Sequence, residues 1–366
     1  MLHYGGAFYG HAIVAVCVLG CIRALAAADV FDRTAGRSKR RSLSLMAAGA
    51  CAGLGGLTEY QAIPLAALLA LPIFWKGRSS RARDALLFCA GGAPFAFALL
   101  RYNQLAFGGM FALSYQHLVG ASLQALHGEG LMGATHPHWS AFVGLLVSQH
   151  RGLIVTSPLL GLGLVSLALG PRDMPRSLFA AIALSCAYML LIVSSSSVWF
   201  GGWSFGPRLL VPIMGLLAIA AAFWMERLGD RAIAQVLFRA AVVFGLIYQQ
   251  AVQATFPELP PEFTSPVRDA LLPLWQAHAL APNLACKAWS LAPSNLAPLI
   301  ALVLATVLFV SMRGLSTRIA WSLASLACAA VALGLLFLPT PIAARERDAL
   351  VRRVQHWQRM ETRCVH

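Results

Sequence analysis

The sequence predicts an all-α fold, a polytopic bundle of about ten transmembrane helices. Apolar residues make up 58% of the chain and charged residues only 11%, whereas soluble domains carry about 25% charged residues. The mean hydropathy is +0.70. The apolar runs are continuous, unlike the alternating pattern of a membrane β-barrel. Short basic loops separate them, as the positive-inside rule expects for helical membrane proteins.

Ten apolar segments approach the length of about 20 residues that a helical span requires. By residue number they are 8–28, 43–57, 61–75, 85–104, 153–169, 178–198, 209–224, 232–253, 297–310 and 320–338. Together they predict a transmembrane domain over residues 1–338. Residues 339–366 follow as a tail that is amphipathic at helical spacing and that lies along the membrane surface or packs on an external loop.

The 43–75 segment is predicted to be a hairpin of two short helices, because it is too long for one span and too short for two full ones. Its flanks are both basic, which places both in the cytoplasm and requires an even number of crossings. The flanking basic residues are Arg33, Arg37, Lys39, Arg40 and Arg41 before it and Lys76, Arg78, Arg81 and Arg83 after it. Glu59 then lies at the external tip of the hairpin.

The remaining charges set the sidedness of the other loops. The formal net charge is +14, but the basic residues lie mostly in short loops between spans, so the sequence predicts no nucleic-acid binding. The long segments 105–152 and 254–296 carry few basic residues and are predicted to be external. The tail also falls outside in this topology, although its arginines favour the cytoplasm, and one miscounted span would reverse its side.

Arg208 is the next-to-last residue of the stretch GGWSFGPRL at residues 201–209, which lies between two apolar runs. Trp203 favours a membrane–water interface, and Pro207 and the glycines interrupt the helix. Two interpretations fit this arginine. It binds a phosphate or pyrophosphate through its forked donors, or it anchors the chain to lipid headgroups. The surrounding composition favours ligand binding.

Glu59 is the only carboxylate that the span assignment places within the membrane hairpins, and an intramembrane ionisable residue predicts function. It would act as a base or a metal ligand. The alternative is a tip residue that external water wets and that caps the next helix. Arg101 and Arg151 lie at outer span ends, where each would either donate to an anionic ligand or anchor the interface.

Other candidate motifs are weaker. His136 and His138 match no strong metal-binding pattern. Six cysteines fall in spans and are predicted to pack as small apolar side chains, whereas Cys286 and Cys364 both fall outside and could form a disulfide in an oxidising periplasm. The sequence carries no convincing motif for ATP hydrolysis or nicotinamide chemistry.

Several segments together resemble bacterial multi-pass membrane glycosyltransferases of the GT-C type, akin to protein O-mannosyltransferases and the lipid A aminoarabinose transferase. The similarity covers about residues 1–225, and its last segment is the most specific. The segments are Tyr9-Gly10-His11, GLGGLTEY at 53–60, Arg101-Tyr102-Asn103 with Phe107-Gly108, Arg151-Gly152-Leu153 with Ser157-Pro158, and GGWSFGPR at 201–208.

This resemblance implies a location, a mechanism and a set of partners. Such enzymes lie in the bacterial inner membrane and move a sugar from a polyprenyl-phosphate carrier to an acceptor hydroxyl or amine at the external face. Basic residues hold the lipid phosphate, and an acid in the first external loop acts as base or as ligand of a divalent metal. The resemblance assigns phosphate binding to Arg208, with Arg101 and Arg151 as helpers. It adds His11, Tyr60 and Trp203 to the substrate site.

The sequence departs from the family pattern at its start. The family begins with a span and an acidic external loop, whereas no acidic residue precedes Asp29 here. We therefore expect an N-terminally truncated or inactive member, or a variant that uses Glu59 as its base. Two other functions stay open: a transporter or flippase of a lipid-linked or amphiphilic anion, and a non-catalytic membrane scaffold. The donor sugar, the acceptor and the cofactor are unknown from the sequence.

Overall fold

In a computed structural model of this protein, the regular secondary structure is helical. The structure describes residues 10–31, 40–74, 81–117, 130, 133–170, 173–228, 231–256, 259, 261, 263–277, 348–349, 351–353 and 355–356. Within these ranges no β-strand occurs, and the only strand-like pairing is an isolated bridge between Ala134 and Ser196. The predicted all-α class is confirmed.

Eleven α-helices follow one another in these ranges, with short 3₁₀ and π-helical turns between some of them. They are α1 (Gly10–Ala27), α2 (Arg41–Thr58), α3 (Ala62–Ala70), α4 (Arg81–Phe107), α5 (Trp139–Val147), α6 (Leu153–Thr156), α7 (Pro158–Leu169), α8 (Arg176–Ser194), α9 (Val211–Leu228), α10 (Ala232–Thr255) and α11 (Leu272–Gln276). The 3₁₀ turns are Leu71–Phe74, Ser114–His117 and Arg208–Leu210, and the π-helical turn is Val267–Leu271.

Five of the described helices are long and apolar enough to cross a membrane: Gly10–Ala27, Arg81–Phe107, Arg176–Ser194, Arg208–Leu228 and Val236–Gln253. The apolar helices Ala62–Phe74 and Pro158–Leu169 are shorter than a full span. The predicted spans 297–310 and 320–338, together with Cys286 and Cys364, lie outside the described residues. The structure therefore supports a helical protein compatible with a membrane, and the number of about ten spans stays a prediction.

The 43–75 segment folds as two helices that meet at a corner. Helix α2 ends at Thr58 and α3 begins at Ala62, so the connection is the three residues 59–61, which we call the Glu59 corner. Gly55 and Gly56 allow the close approach, since a Cβ on Gly56 would lie 3.0 Å from the Ile63 side chain. This corner is where the sequence places the tip of its hairpin.

One end of the bundle, which we call the basic end, is held by a buried ion pair. Arg41, at the start of α2, donates from Nη2 to Oδ2 of Asp84 at 2.6 Å. Its Nη1 also donates to the carbonyl oxygen of Ala28, just after α1. Three helices are thereby joined at this end. Since α2 runs from Arg41 to the Glu59 corner, that corner lies at the opposite end.

The connection between α8 and α9 lies at the same end as the Glu59 corner. The Tyr188 hydroxyl, near the end of α8, donates to the carbonyl oxygen of Gln61 at 3.2 Å. Helix α8 continues to Ser194, and the 195–207 segment follows it. We call this the polar end of the bundle. It therefore contains both Glu59 and the segment that leads to Arg208.

Glycines hold α2 and α4 in close contact along their length. A Cβ on Gly49 would come to 1.8 Å from the carbonyl oxygen of Phe88, and one on Gly91 would come to 2.0 Å from that of Met46. Small residues permit such backbone contact between membrane helices. The contact fixes α4 beside α2 and so carries the end of α4 to the Glu59 corner.

Candidate functional site at the polar end

The Glu59 corner exposes a carboxylate where α2 stops. The Thr58 hydroxyl donates back to the carbonyl oxygen of Leu54 at 2.8 Å, and the backbone of Glu59 leaves the helix with φ −148° and ψ 130°. The carbonyl oxygen of Glu59 then accepts the Ala62 N–H at 3.0 Å, which starts the next helix. The backbone groups of Glu59 therefore make hydrogen bonds in both helices, and its side chain binds another partner.

That partner is His11, in the first turn of α1. Its Nδ1 lies 2.6 Å from Oε1 and 2.7 Å from Oε2 of Glu59. Both side chains are mostly buried, with 15% of His11 and 19% of Glu59 exposed. A carboxylate bound to Nδ1 fixes the tautomer of the ring and leaves Nε2 as the nitrogen that exchanges a proton with a ligand. The pair has the composition of an acid–base dyad.

Two tyrosines and an asparagine surround this dyad. The Tyr60 hydroxyl donates to Oδ1 of Asn103 on α4 at 3.0 Å. The ring of Tyr115 lies 6.2 Å from that of Tyr60, centroid to centroid. Burial raises the pKa of Tyr115, and the Glu59 carboxylate and Tyr60 raise it further. The phenol therefore stays protonated and remains a hydrogen-bond donor beside Glu59.

The glycine motif, residues 201–208, forms a loop at the same end of the bundle. Gly201, Gly202 and Gly206 have φ values of +71°, +69° and +75°, a left-handed conformation that other residues rarely adopt. The Gly206 N–H donates to the carbonyl oxygen of His150 at 2.9 Å. The glycines therefore let the chain fold tightly against the segment before α6.

The side chain of Arg151 is buried against this loop and donates hydrogen bonds to it. Its side chain is buried, with 3% exposed. Nη2 donates to the carbonyl oxygen of Gly202 at 2.7 Å, and Nη1 donates to Oγ of Ser204 at 2.8 Å and to the carbonyl oxygen of Ser204. These charge-assisted hydrogen bonds hold the loop in shape. In this structure Arg151 serves the glycine motif, and its predicted role as a phosphate ligand stays a prediction.

His150 is a second buried support of the glycine motif. Its Nδ1 lies 2.6 Å from the carbonyl oxygen of Phe263, and its Nε2 lies 3.0 Å from that of Ser204. Burial and the neighbouring Arg151 guanidinium lower the pKa of His150 to about 3, against the opposing effect of both carbonyl contacts. The ring is neutral at pH 7 and donates once. Since Arg151 already donates to Ser204, we assign the proton to Nδ1.

Arg208 and Trp203 occupy the outer part of the motif. Arg208 is half-buried and begins the 3₁₀ turn that leads into α9. Its side chain crosses Gly201, where an added Cβ would lie 3.6 Å from Nε of Arg208. Trp203 is 40% exposed. The guanidinium of Arg353, in the tail, lies 4.7 Å from the centroid of its indole ring, so the tail packs on the motif.

The predicted site residues form two groups at the polar end. Glu59, His11 and Tyr60 are adjacent. Trp203 lies in the loop that carries Arg208, and Arg151 donates hydrogen bonds to that loop. Arg101 is exposed on α4, whereas Asn103, two residues later, is 3% exposed and binds Tyr60. Of the Arg101-Tyr102-Asn103 triplet, the arginine is the predicted ligand, but the asparagine is the residue that contacts the Glu59 corner. Tyr115 has no sequence signal, because it lies in a long connecting segment without a motif.

The donors at the Glu59 corner are few for a metal site. Within the described ranges, no three histidine, cysteine, aspartate or glutamate side chains converge to hold a metal ion. Glu59 and His11 supply two ligating side chains, fewer than zinc sites usually take from protein. Among the described residues, this pair alone does not fit the divalent metal that the resemblance implies.

Comparison with known proteins adds no relative to this picture. No protein-family model, curated protein or solved structure matches the chain significantly.

Proposed function

We propose that this protein is a multi-pass glycosyltransferase of the GT-C type in the bacterial inner membrane. It takes a sugar from a polyprenyl-phosphate carrier at the external face. The observation that carries the proposal is the His11–Glu59 pair, with contacts of 2.6 and 2.7 Å, at the same end of the bundle as Arg208. A proton acceptor and a fixed positive charge are the two groups that such a transfer requires.

The proposed reaction is a displacement at the anomeric carbon of the donor sugar. The acceptor oxygen or nitrogen forms a bond to that carbon, and the bond from the carbon to the phosphate oxygen breaks. The acceptor's proton passes to the His11–Glu59 pair. The electron pair of the broken bond leaves with the polyprenyl phosphate, whose added negative charge the Arg208 guanidinium stabilises.

The supporting residues have distinct positioning roles in this proposal. Asn103 holds the Tyr60 hydroxyl at 3.0 Å, and Tyr115 presents a protonated phenol near Glu59 as a donor to the sugar. Arg151 and His150 keep the glycine motif in the conformation that places Arg208 at the start of α9. Neither Arg151 nor His150 needs to touch the substrate, since both act through the loop.

The test is transfer of sugar from polyprenyl-phosphate donors by the purified full-length protein in detergent or lipid vesicles. Glu59→Gln removes the carboxylate that fixes the His11 ring, with little change in shape, and is expected to reduce transfer at least a hundredfold. Arg208→Ala is expected to weaken donor binding. Glu226→Gln, an exposed carboxylate near the end of α9, is the matched control and should retain activity.

Two outcomes would contradict the proposal. Unchanged donor binding by the Arg208→Ala variant would remove the phosphate role of that arginine. Binding of the donor by the unmodified protein without transfer to any tested hydroxyl or amine acceptor would favour a non-catalytic lipid-binding protein or a transporter instead.

A further inference from the structure

A groove at the basic end of the bundle, far from the Glu59 corner, has the chemistry of a lipid site. It has a volume of about 560 Å³ and lies between α7, α9 and α10, within the range of about 300–1,000 Å³ typical of ligand pockets. Its walls are almost entirely apolar and include Leu162, Trp224, Leu237 and Phe238. Leu237 is 55% exposed, so the groove opens at the side of the bundle.

Positive charge is concentrated at the mouth of this groove. Arg231, which precedes α10, is the only charged residue among the described residues that line the groove, and it is exposed. Arg227 is also exposed, and its guanidinium carbon lies 5.8 Å from the centroid of the Trp224 ring. Among the described residues that line the groove, none is acidic. The mouth therefore favours an anion, and the walls favour hydrocarbon.

A third arginine, Arg239, lies on α10, further from the mouth of the groove than Arg231. Arg239 follows Phe238 directly, and its Nη1 is buried without a hydrogen-bond partner among the described residues. An arginine inside an apolar helix normally binds an acceptor or marks a functional site. It adds to the positive charge on the part of α10 that borders the groove.

The dimensions of α10 match an amphiphile rather than a soluble anion. Leu237 lies six residues beyond Arg231, which is about 9 Å along the helix axis. A headgroup at the arginines would therefore leave its hydrocarbon chain against Leu237 and Phe238. Basic pockets between membrane helices on the cytoplasmic side are typical sites for anionic headgroups. Arg227 and Arg231 lie in the short loop between the predicted spans 209–224 and 232–253, which the positive-inside rule places in the cytoplasm.

We infer that this groove binds one anionic phospholipid, with its phosphate at Arg227 and Arg231 and an acyl chain along Leu237 and Phe238. The site is independent of the Glu59 corner and of the proposed transferase reaction. It recognises the phosphate charge together with the acyl chain, so a zwitterionic phospholipid binds it less well.

The test uses the full-length protein in phosphatidylcholine vesicles that contain graded amounts of phosphatidylglycerol with brominated acyl chains. Bromine quenches nearby tryptophan, and the Trp224 signal is the difference between the unmodified protein and Trp224→Phe. Quenching of Trp224 is expected to reach half its maximum at a lower mole fraction of brominated phosphatidylglycerol than of brominated phosphatidylcholine.

The variants separate charge from hydrocarbon. Arg227→Gln and Arg231→Gln are each expected to raise the half-quenching mole fraction of phosphatidylglycerol about fivefold, the equivalent of about 1 kcal/mol per arginine near a membrane surface. Ala234→Phe fills the groove and is expected to reduce quenching by both lipids. Arg83→Gln, an exposed arginine at the same end of the bundle but on α4, is the matched control and should change neither.

Three results would overturn the inference. Equal quenching by the two brominated lipids would mean that the groove holds ordinary annular lipid. An unchanged half-quenching fraction in the Arg227→Gln, Arg231→Gln double variant would remove the role of the arginines. Displacement of brominated phosphatidylglycerol by millimolar inorganic phosphate would indicate a site for a soluble anion instead.

Discussion

Gly10 lies directly against the carboxylate of Glu59, and a Cβ built on Gly10 would come to 2.7 Å from Oε1. The absence of a side chain at this position lets His11, the next residue, bring Nδ1 to 2.6 Å from the same oxygen. The contact between α1 and the Glu59 corner therefore depends on the smallest residue at one position.

The Gly10→Ala substitution is expected to displace the Glu59 carboxylate and to reduce sugar transfer by up to about a hundredfold, because misplacing a reacting group by 1 Å has that effect. Gly55→Ala is the matched control, since its added Cβ would lie 3.5 Å from that of Cys17, an ordinary contact. Transfer rate and thermal unfolding of both variants measure the effect. Equal losses of activity in the Gly10→Ala and Gly55→Ala variants would show that the contact of Gly10 with Glu59 does not affect transfer.

His11→Gln is expected to reduce transfer about tenfold or more, because the pair loses the ring nitrogen that exchanges a proton with the ligand. If the two side chains act as one unit, the His11→Gln, Glu59→Gln double variant will be little less active than Glu59→Gln alone. The comparison requires rates for both single variants and the double variant. Losses that multiply in the double variant would mean that the residues act independently.

Arg151→Gln is expected to lower the free energy of unfolding by about 3 kcal/mol, since hydrogen bonds from a charged group are worth about 1.5–3 kcal/mol each and the guanidinium makes several to the glycine motif. Arg101→Gln, which changes an exposed arginine, is expected to stay within about 0.5 kcal/mol. Chemical unfolding in detergent measures both. A stable Arg151→Gln variant would show that the loop holds its shape without this side chain.

The free energy of unfolding is expected to decrease as the pH decreases, because of His150. The folded pKa of about 3 lies below the ordinary value of about 6.5, so the unfolded chain binds the extra proton between these values. His150 therefore adds stability above about pH 6.5, and this is lost as the pH falls toward 3, by about 1.4 kcal/mol per pH unit at most.

Comparison of the unmodified protein with His150→Gln isolates this effect from the carboxylates that titrate in the same range. The difference in midpoint temperature between the two is expected to shrink as the pH decreases from 7 to 4. His138→Gln, which changes an exposed histidine, should follow the unmodified protein. A difference that does not vary with pH would contradict a neutral buried His150.

The contact between Arg353 and Trp203 predicts that the tail and the glycine motif lie on one side of the membrane. Single cysteines at Trp203 and at Arg353, in a chain whose native cysteines are replaced by alanine, are expected to react with a membrane-impermeant maleimide from the same side of sealed vesicles. A cysteine at Arg83, at the basic end, is expected to react only after the vesicles are opened. Labelling of positions 203 and 353 from opposite sides would exclude the contact.

The sequence predicts the helical class and the hairpin corner because these depend on local signals. Apolar runs fix the helices, and the basic flanks of 43–75 require a return near Glu59. The glycines of the 201–208 motif likewise predict a break before α9. Each of these features is set by residues that are close together along the chain.

The partners within the site depend on packing that no local pattern encodes. The charge of Arg101 is a stronger sequence signal than the amide of Asn103, yet the close α2–α4 contact brings that amide to Tyr60. The sequence predicts that Arg151 is a donor at the surface. Its side chain is buried, because the carbonyl groups of Gly202 and Ser204 accept its hydrogen bonds. Tyr115 reaches the Glu59 corner from a segment with no motif at all.

The contact between Arg353 and Trp203 also has a consequence for the order in which parts of the protein fold during synthesis. The glycine motif leaves the ribosome long before Val351 and Arg353, and Val351 packs with the cluster that contains Phe205 and Phe263. The helices that precede the tail are therefore made before Arg353 reaches Trp203. We expect newly made chains to pass through an interval in which the Trp203 ring lacks its contact with Arg353.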